Sequence, residues 1–387
     1  MKSLGIYIHT PFCAKKCAYC DFYSAPGDKK TYSSYASALC RHIEESNMTQ
    51  SGYKVDTIYF GGGTPSLMPV REIEHIVKAL RLNFNILSDA EMTIEANPDS
   101  IDLKKLKKLK SLGFNRISIG AQSSNDDELA TLGRIHNFDG VKAAVKAARV
   151  AGFENLSLDL MYGIPNQTME SFKKSLLDIL DLSPEHISFY ALKLEEGTPM
   201  AQCADMYSFP EDDTVADMYL MAVDLLKERG YEQYEISNFA KGGKVSRHNV
   251  KYWNLDEYLG FGPSAHSLLN NLRFSYVKDT NSYIKGIFDS GVVVDSREEI
   301  YPSEQASEYI MLSLRTANGI SPTVFEARYS IFFDEIEKAL CKFSDMGLAE
   351  HFGTNWRLTP RGFLVSNSII SELLIALENS KTIKERK

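Results

Sequence analysis

Cys13, Cys17 and Cys20 stand together near the amino terminus as Cys-x3-Cys-x2-Cys. Thiolate is a soft ligand, and three thiolates on one tight loop can hold three corners of an iron–sulfur cubane. One iron then lacks a protein ligand and stays open to a small molecule, as in catalytic rather than closed metal sites. Zinc is the alternative metal, but it would call for a fourth cysteine or a histidine, and His9 is the only close candidate. Unliganded structural thiols are the third reading. The remaining cysteines, Cys40, Cys203 and Cys341, are scattered, which suits a reducing compartment better than a disulfide framework.

Other chemically capable residues fall where apolar runs end. Gly61-Gly62-Gly63-Thr64-Pro65 follows the run Thr57–Phe60. Three glycines let backbone approach a ligand and offer bare N–H groups to a carboxylate, although a plain turn also explains them. Glu95 closes Met92-Thr93-Ile94-Glu95, Gln122 follows Ser118-Ile119-Gly120-Ala121, and Asp159 interrupts Leu158-Asp159-Leu160. An acid in an apolar strand must be paired, hydrogen-bonded or turned to a ligand. Capping or loop tethering is the competing role for each. Arg134 could balance one of these acids or grip a ligand carboxylate in a bidentate fork.

These residues need a scaffold, and the chain supplies an alternating one. Strand-like runs at Leu4–His9, Thr57–Phe60, Glu91–Glu95, Arg116–Gly120, Leu156–Leu160 and Ile187–Tyr190 alternate with helical patterns. The helices are expected at Tyr32–Asn47, Val70–Leu82, Leu103–Leu112, Phe138–Ala151 and Met169–Leu182. Such alternation implies a parallel α/β sheet or barrel. Leu103, Leu106, Leu109 and Leu112 predict an amphipathic helix whose intervening lysines face solvent. From about Ile300, helices at Glu304–Leu314 and Ile331–Met346 precede two short strands and a glycine turn, a winged-helix-like pattern. The expected segments are a core at 1–235, a connecting region at 236–299 and a smaller, mostly helical domain at 300–387.

The chain has 387 residues, 44 % of them hydrophobic, and a formal net charge of −8. That length supports one large domain and a smaller one. The acidic balance argues against a nucleic-acid partner. No signal-peptide pattern and no apolar run long enough to span a bilayer is visible, so a cytoplasmic protein with at most peripheral membrane contact is expected. The basic tail from Lys381 to Lys387 is expected to fray.

The stretch from Tyr7-Ile8-His9-Thr10-Pro11-Phe12-Cys13 to Cys20-Asp21-Phe22 resembles the HemN/HemW group of the radical S-adenosylmethionine (SAM) superfamily. The resemblance runs through nearly the whole chain. It implies a partial (β/α)6, TIM-like barrel with its site at the carboxyl ends of the strands. It implies a [4Fe-4S] cluster on Cys13, Cys17 and Cys20, with SAM on the open iron through its amino and carboxylate groups. Reductive cleavage in that superfamily yields a 5′-deoxyadenosyl radical. The group's SAM contacts map onto Tyr7, Tyr19, Gly62, Gly63, Thr64, Glu95, Gln122, Arg134, Asp159 and Ala191.

Two departures separate the chain from the oxygen-independent coproporphyrinogen III oxidases of that group. Those oxidases carry an extension before the cysteine loop and a further cysteine two residues past the third ligand, where this chain has Phe22. Both departures match the haem-chaperone members. So does His248-Asn249-Val250-Lys251-Tyr252-Trp253, which carries the His-Asn-x-x-Tyr-Trp motif associated with haem. His248 could supply an axial nitrogen and Tyr252 and Trp253 flat apolar faces; aromatics packed into a domain junction are the alternative. His266 is a reserve ligand, and His9 a structural neighbour of the loop. The resemblance thus implies a carrier of haem to haem-requiring apoproteins, including respiratory ones, with haem stores as donors and homodimerisation as a further association. Oxygen-independent decarboxylation of coproporphyrinogen III is the rival, and the catalytic residues stay unassigned.

Overall fold

A computed structural model describes residues 2–49, 51–289 and 293–381. The tail beyond Lys381 lies outside the described residues. By contact the chain falls into two compact units. The first comprises 1–218 with 246–248 and 256–298; the second comprises 219–245, 249–255 and the residues from 299 onward. The region expected to connect two domains is therefore shared between both units, and position 235 lies inside the second.

The first unit is built on six parallel strands: β1 (Lys2–Thr10), β2 (Tyr53–Gly62), β3 (Ile86–Ala96), β4 (Arg116–Gln122), β5 (Leu156–Tyr162) and β6 (His186–Ala191). Their spatial order follows their chain order, as in a barrel wall and unlike a doubly wound sheet. Helices α1 (Lys29–Glu45), α2 (Val70–Asn83), α3 (Leu103–Ser111), α4 (Asp126–Thr131), α5 (Phe138–Val150) and α6 (Met169–Asp181) fill the crossovers. Local chemistry starts most of them. Asp28, Asp102, Asn137 and Thr168 each accept a backbone N–H of the first turn of α1, α3, α5 and α6. Each such cap contributes about 1 kcal/mol.

Every strand expected from sequence is present, and each extends beyond its apolar run. A strand hidden from that reading, Tyr258–Phe261, pairs in parallel with β1 on the side away from β2. The antiparallel strands His266–Leu269 and Leu272–Tyr276 continue outward from it. The lysine helix differs from expectation at Leu103, which is exposed, and at Lys105. Leu106 and Leu109 are buried as predicted, but Lys105 turns inward, and its Nζ donates to the carbonyls of Ser66 and Ser100.

The second unit contains the helices Pro302–Ser313, Pro322–Tyr329 and Asp334–Asp345. They pack through Tyr309, Phe325, Tyr329 and Phe333. The hairpin Ala349–Phe352 with Asn355–Leu358 follows, turning at Gly353 with φ +61°, and two more helices complete the winged-helix-like pattern. Among the described residues, no helix is long and apolar enough to cross a membrane.

Candidate functional site

β1 delivers the cysteine loop to the carboxyl end of the barrel. Phe12 is fully buried and meets the edges of Tyr32 and Tyr35 on α1, with ring centroids 4.8 and 5.3 Å apart. Cys13 N donates to Ala25 O at 3.2 Å and Ala25 N to Pro11 O at 2.7 Å, closing the base of the loop. Farther out, Ala18 N donates to Leu132 O at 3.1 Å and Met200 N to Ala18 O at 2.9 Å. Tyr19 packs against the buried cluster of Leu132, Met161, Ile164 and Met200. The loop is thus fastened at base and tip before any ligand binds.

Cys13, Cys17 and Cys20 are partly buried free thiols, and burial pushes the Cys20 thiol up. Two polar groups from other elements reach sulfur. Arg134 Nη1 lies 3.4 Å from Cys17 Sγ, and Thr64 Oγ1 lies 3.7 Å from Cys13 Sγ. Among the described residues, no three His, Cys, Asp or Glu side chains are gathered to hold a single metal ion. A three-thiol loop supplied with N–H and O–H donors fits the sulfur-rich chemistry of a cluster, whose properties depend on hydrogen bonds to sulfur.

The glycine segment lies directly against this loop. Gly63 N donates to Thr10 O at 2.8 Å, and Thr64 N to Phe12 O at 2.7 Å. A Cβ on Gly63 would stand 2.6 Å from the Phe12 carbonyl oxygen, so no larger residue fits without moving backbone. Gly62 has φ +109° and gives its N–H to Glu95 Oε2 at 3.2 Å. Glu95 Oε1 accepts from Tyr59 Oη at 2.7 Å. Burial pushes the Glu95 carboxyl up to about 7.

The next strands add the remaining polar groups. Asp159 accepts from Ser118 Oγ at 3.1 Å and is also raised by burial, against the opposing pull of its Ser118 and Ser188 bonds and of buried Arg116. Gln122 is held at φ +66°, where β4 slips register against β5. Non-glycine residues in this region cluster at functional positions. Arg134 donates through Nη2 to Gly120 O at 2.8 Å and to Asn97 Oδ1 at 3.0 Å. A Cβ on Gly120 would come within 2.6 Å of that same nitrogen. Arg134 Nε is buried without a hydrogen-bond partner among the described residues, a donor left for a ligand carboxylate. A small cavity lined by Lys15, Cys17, Asn97, Asp99, Arg134 and His136 opens beside it. Ala191 is exposed at the end of β6.

Tyr7 points its hydroxyl to His9 Nδ1 at 3.1 Å, and His9 Nε2 lies 3.1 Å from Tyr23 O. Burial pulls His9 down to about 4. Sequence reasoning passed over Tyr59, Asn97, Arg116 and Ser118. The inward side of each strand carried the signal for the first and last two, and a polar residue just after a strand end the signal for Asn97.

His248 sits elsewhere than an open ligand would. It lies in the first turn of the helix Arg247–Trp253 and is 1 % exposed. Its Nδ1 lies 2.8 Å from Thr57 Oγ1, and its ring stacks on Tyr59 and Tyr7 at centroid distances of 5.3 and 6.3 Å. The ring is enclosed in this conformation, with Nδ1 engaged by Thr57, so ligation by His248 would fall to Nε2 and requires the ring to become accessible. Asn249, Tyr252 and Trp253 continue the same helix, partly buried, in the second unit. His266 is exposed on the outer antiparallel strand.

Comparison with known proteins gives consistent matches. Residues 7–179 match the Radical SAM superfamily, and residues 300–365 the HemN C-terminal domain. The chain is similar to the Bacillus subtilis protein named heme chaperone HemW, at 34 % identity over 95 % of this chain and 98 % of that protein. It is 32 % identical to the Escherichia coli protein of the same name, over 96 % of this chain and 98 % of the other. Among solved structures, the coproporphyrinogen III oxidase HemN from Escherichia coli, titled a radical SAM enzyme, superposes with a TM-score of 0.83 at 25 % identity. That match covers 96 % of this chain and 90 % of the oxidase.

Proposed function

From the fact that the chain belongs to the HemW family of radical SAM proteins, we propose that it is a haem chaperone. It binds haem together with a [4Fe-4S] cluster and SAM, and it hands haem to haem-requiring apoproteins. The near-full-length similarity to proteins named heme chaperone HemW carries this reading. Phe22, where the oxidases have a cysteine, supports it.

In this proposal Cys13, Cys17 and Cys20 hold the cluster. Cluster and SAM, when bound, supply one-electron chemistry at the open iron. The protein's own part is binding and positioning. Gly62, Gly63 and Thr64 bring backbone against the cysteine loop, and Arg134 keeps an unpaired Nε–H for a carboxylate. Glu95, Gln122 and Asp159, with Tyr7, Tyr19 and Ala191, complete the SAM surface. Glu95 ionises near neutrality, so the approach of a cationic ligand would favour its carboxylate form.

Haem is assigned to the helix carrying His248, Asn249, Tyr252 and Trp253. His248 Nε2 would meet iron while Nδ1 keeps its Thr57 bond and fixes the ring, and Tyr252 and Trp253 offer apolar ring faces. Haem-storage proteins as donors, respiratory haem proteins as acceptors, a homodimer, peripheral membrane contact and a cytoplasmic setting belong to the same proposal.

The second reading, an oxygen-independent coproporphyrinogen III oxidase, is favoured by the match to the HemN structure. An anaerobic assay of the cluster-reconstituted protein with reductant, SAM and coproporphyrinogen III separates the two. A known oxidase serves as positive control. No protoporphyrinogen is expected; multiple turnovers would make the chain an oxidase.

A further inference from the structure

Asn97 lies between the two donors that reach the cysteines. Its Oδ1 accepts from Arg134 Nη2 at 3.0 Å, and its Nδ2 lies 3.1 Å from Thr64 Oγ1. Arg134 in turn reaches Cys17 Sγ, and Thr64 lies beside Cys13 Sγ. One amide therefore joins two paths that end on two different sulfurs.

The direction of every bond in this chain follows from what each group can do. A guanidinium only donates, so Asn97 must turn its oxygen to Arg134 and its NH2 to Thr64. The Thr64 oxygen then accepts from Asn97, and its own proton is free to point at Cys13. A thiolate only accepts, so that proton completes a bond to sulfur. Asn97 is itself held in place. Its backbone N–H donates to Ser100 Oγ at 3.0 Å, and Lys105 fastens the Ser66 and Ser100 carbonyls together.

We propose that Asn97 is a positioning residue that orients two hydrogen bonds, Thr64 Oγ1–H to Cys13 and Arg134 Nη1–H to Cys17. Through them it raises the reduction potential of the group those sulfurs hold. The proposal rests on the reading of Cys13, Cys17 and Cys20 as cluster ligands. Hydrogen bonds to cluster sulfurs withdraw electron density and favour the reduced state. Asparagine is suited to the position because it has one acceptor and one donor end. Aspartate has the same shape but only accepts, so it would draw the Thr64 proton away from Cys13.

The test is an EPR-monitored redox titration of reconstituted protein without SAM, with iron and sulfide counted per chain. Wild type, Asn97→Asp, Thr64→Val and the double variant form a cycle. Asn97→Asp should shift the midpoint to more negative potential, and so should Thr64→Val alone. In the Thr64→Val background the Asn97→Asp shift should shrink, because only the added charge remains. Equal shifts in both backgrounds would show that Asn97 acts by charge alone and overturn the proposal; no shift would do the same. If Asn97→Asp fails to load, Thr64→Val decides: a lowered potential supports the hydroxyl path and an unchanged one refutes it. A wild type that takes up no iron and sulfide would instead remove the cluster reading itself.

Discussion

Glu95 links the fold's stability to pH in a direction opposite to that of an ion-paired acid. Its carboxyl ionises near pH 7 in the folded chain against a reference value of 4.5, because burial penalises the charged form. An acid with a raised folded pKa contributes stability that is complete below the unfolded value and is lost as pH rises to the folded one. The difference of 2.5 units corresponds to about 3 kcal/mol, of which about 2 kcal/mol falls between pH 5 and 7. Glu95→Gln keeps the side chain's shape and stays neutral, so it removes this dependence. Asp159 is shifted in the same direction and its charge helps to raise Glu95, so the comparison reads the pair and Asp159→Asn serves as the companion variant. The assay is urea unfolding of metal-free wild type and variant across this range. Wild type should lose stability relative to the variant by about 2 kcal/mol as pH rises from 5 to 7. A difference that stays flat would mean that Glu95 ionises normally and that the Tyr59–Glu95–Gly62 group does not bury an acid.

Other substitutions probe the same site. Gly120→Ala should push Arg134 off the Gly120 carbonyl, Asn97 and Cys17, costing about 1–3 kcal/mol in thermal unfolding. Gly63→Ala forces the glycine segment away from the Phe12 carbonyl and should weaken SAM binding about tenfold in anaerobic equilibrium titration. An unchanged affinity would take that segment out of the SAM site. His248→Ala leaves Thr57 Oγ1 without its ring partner and opens a cavity beside Tyr59. Unfolding of the ligand-free protein should fall by about 2–4 kcal/mol, apart from any effect on haem.

The six barrel strands were readable because each places a compact apolar run between helical patterns. The first residues of β3 were not, since Ile86–Asp89 lie mostly exposed and carry no inward signal. The strand Tyr258–Phe261 escaped because four residues containing a glycine show no clear period; its identity comes from pairing with β1. The cysteines and the strand-end polar residues were visible as types out of place in apolar surroundings. Asn97 and Tyr59 carried a positional signal but not their roles, which are set by partners distant in sequence, Thr64 and Arg134 for the first and Glu95 for the second. Lys105 repeats the point: helical spacing put it among solvated lysines, but two carbonyls from neighbouring turns turned it inward. The enclosure of His248 likewise depends on Thr57, which no local pattern pairs with it.

Haem transfer probes the proposed function most directly. Reconstituted protein would be loaded anaerobically with one equivalent of haem and freed of excess. It would then be mixed with an apo form of a b-type haem protein while the Soret band is followed. A haem chaperone should bind haem stoichiometrically and give it up, with the acceptor's spectrum appearing as the donor's fades. Failure to bind haem, or retention of all of it beside a competent acceptor, would contradict that function.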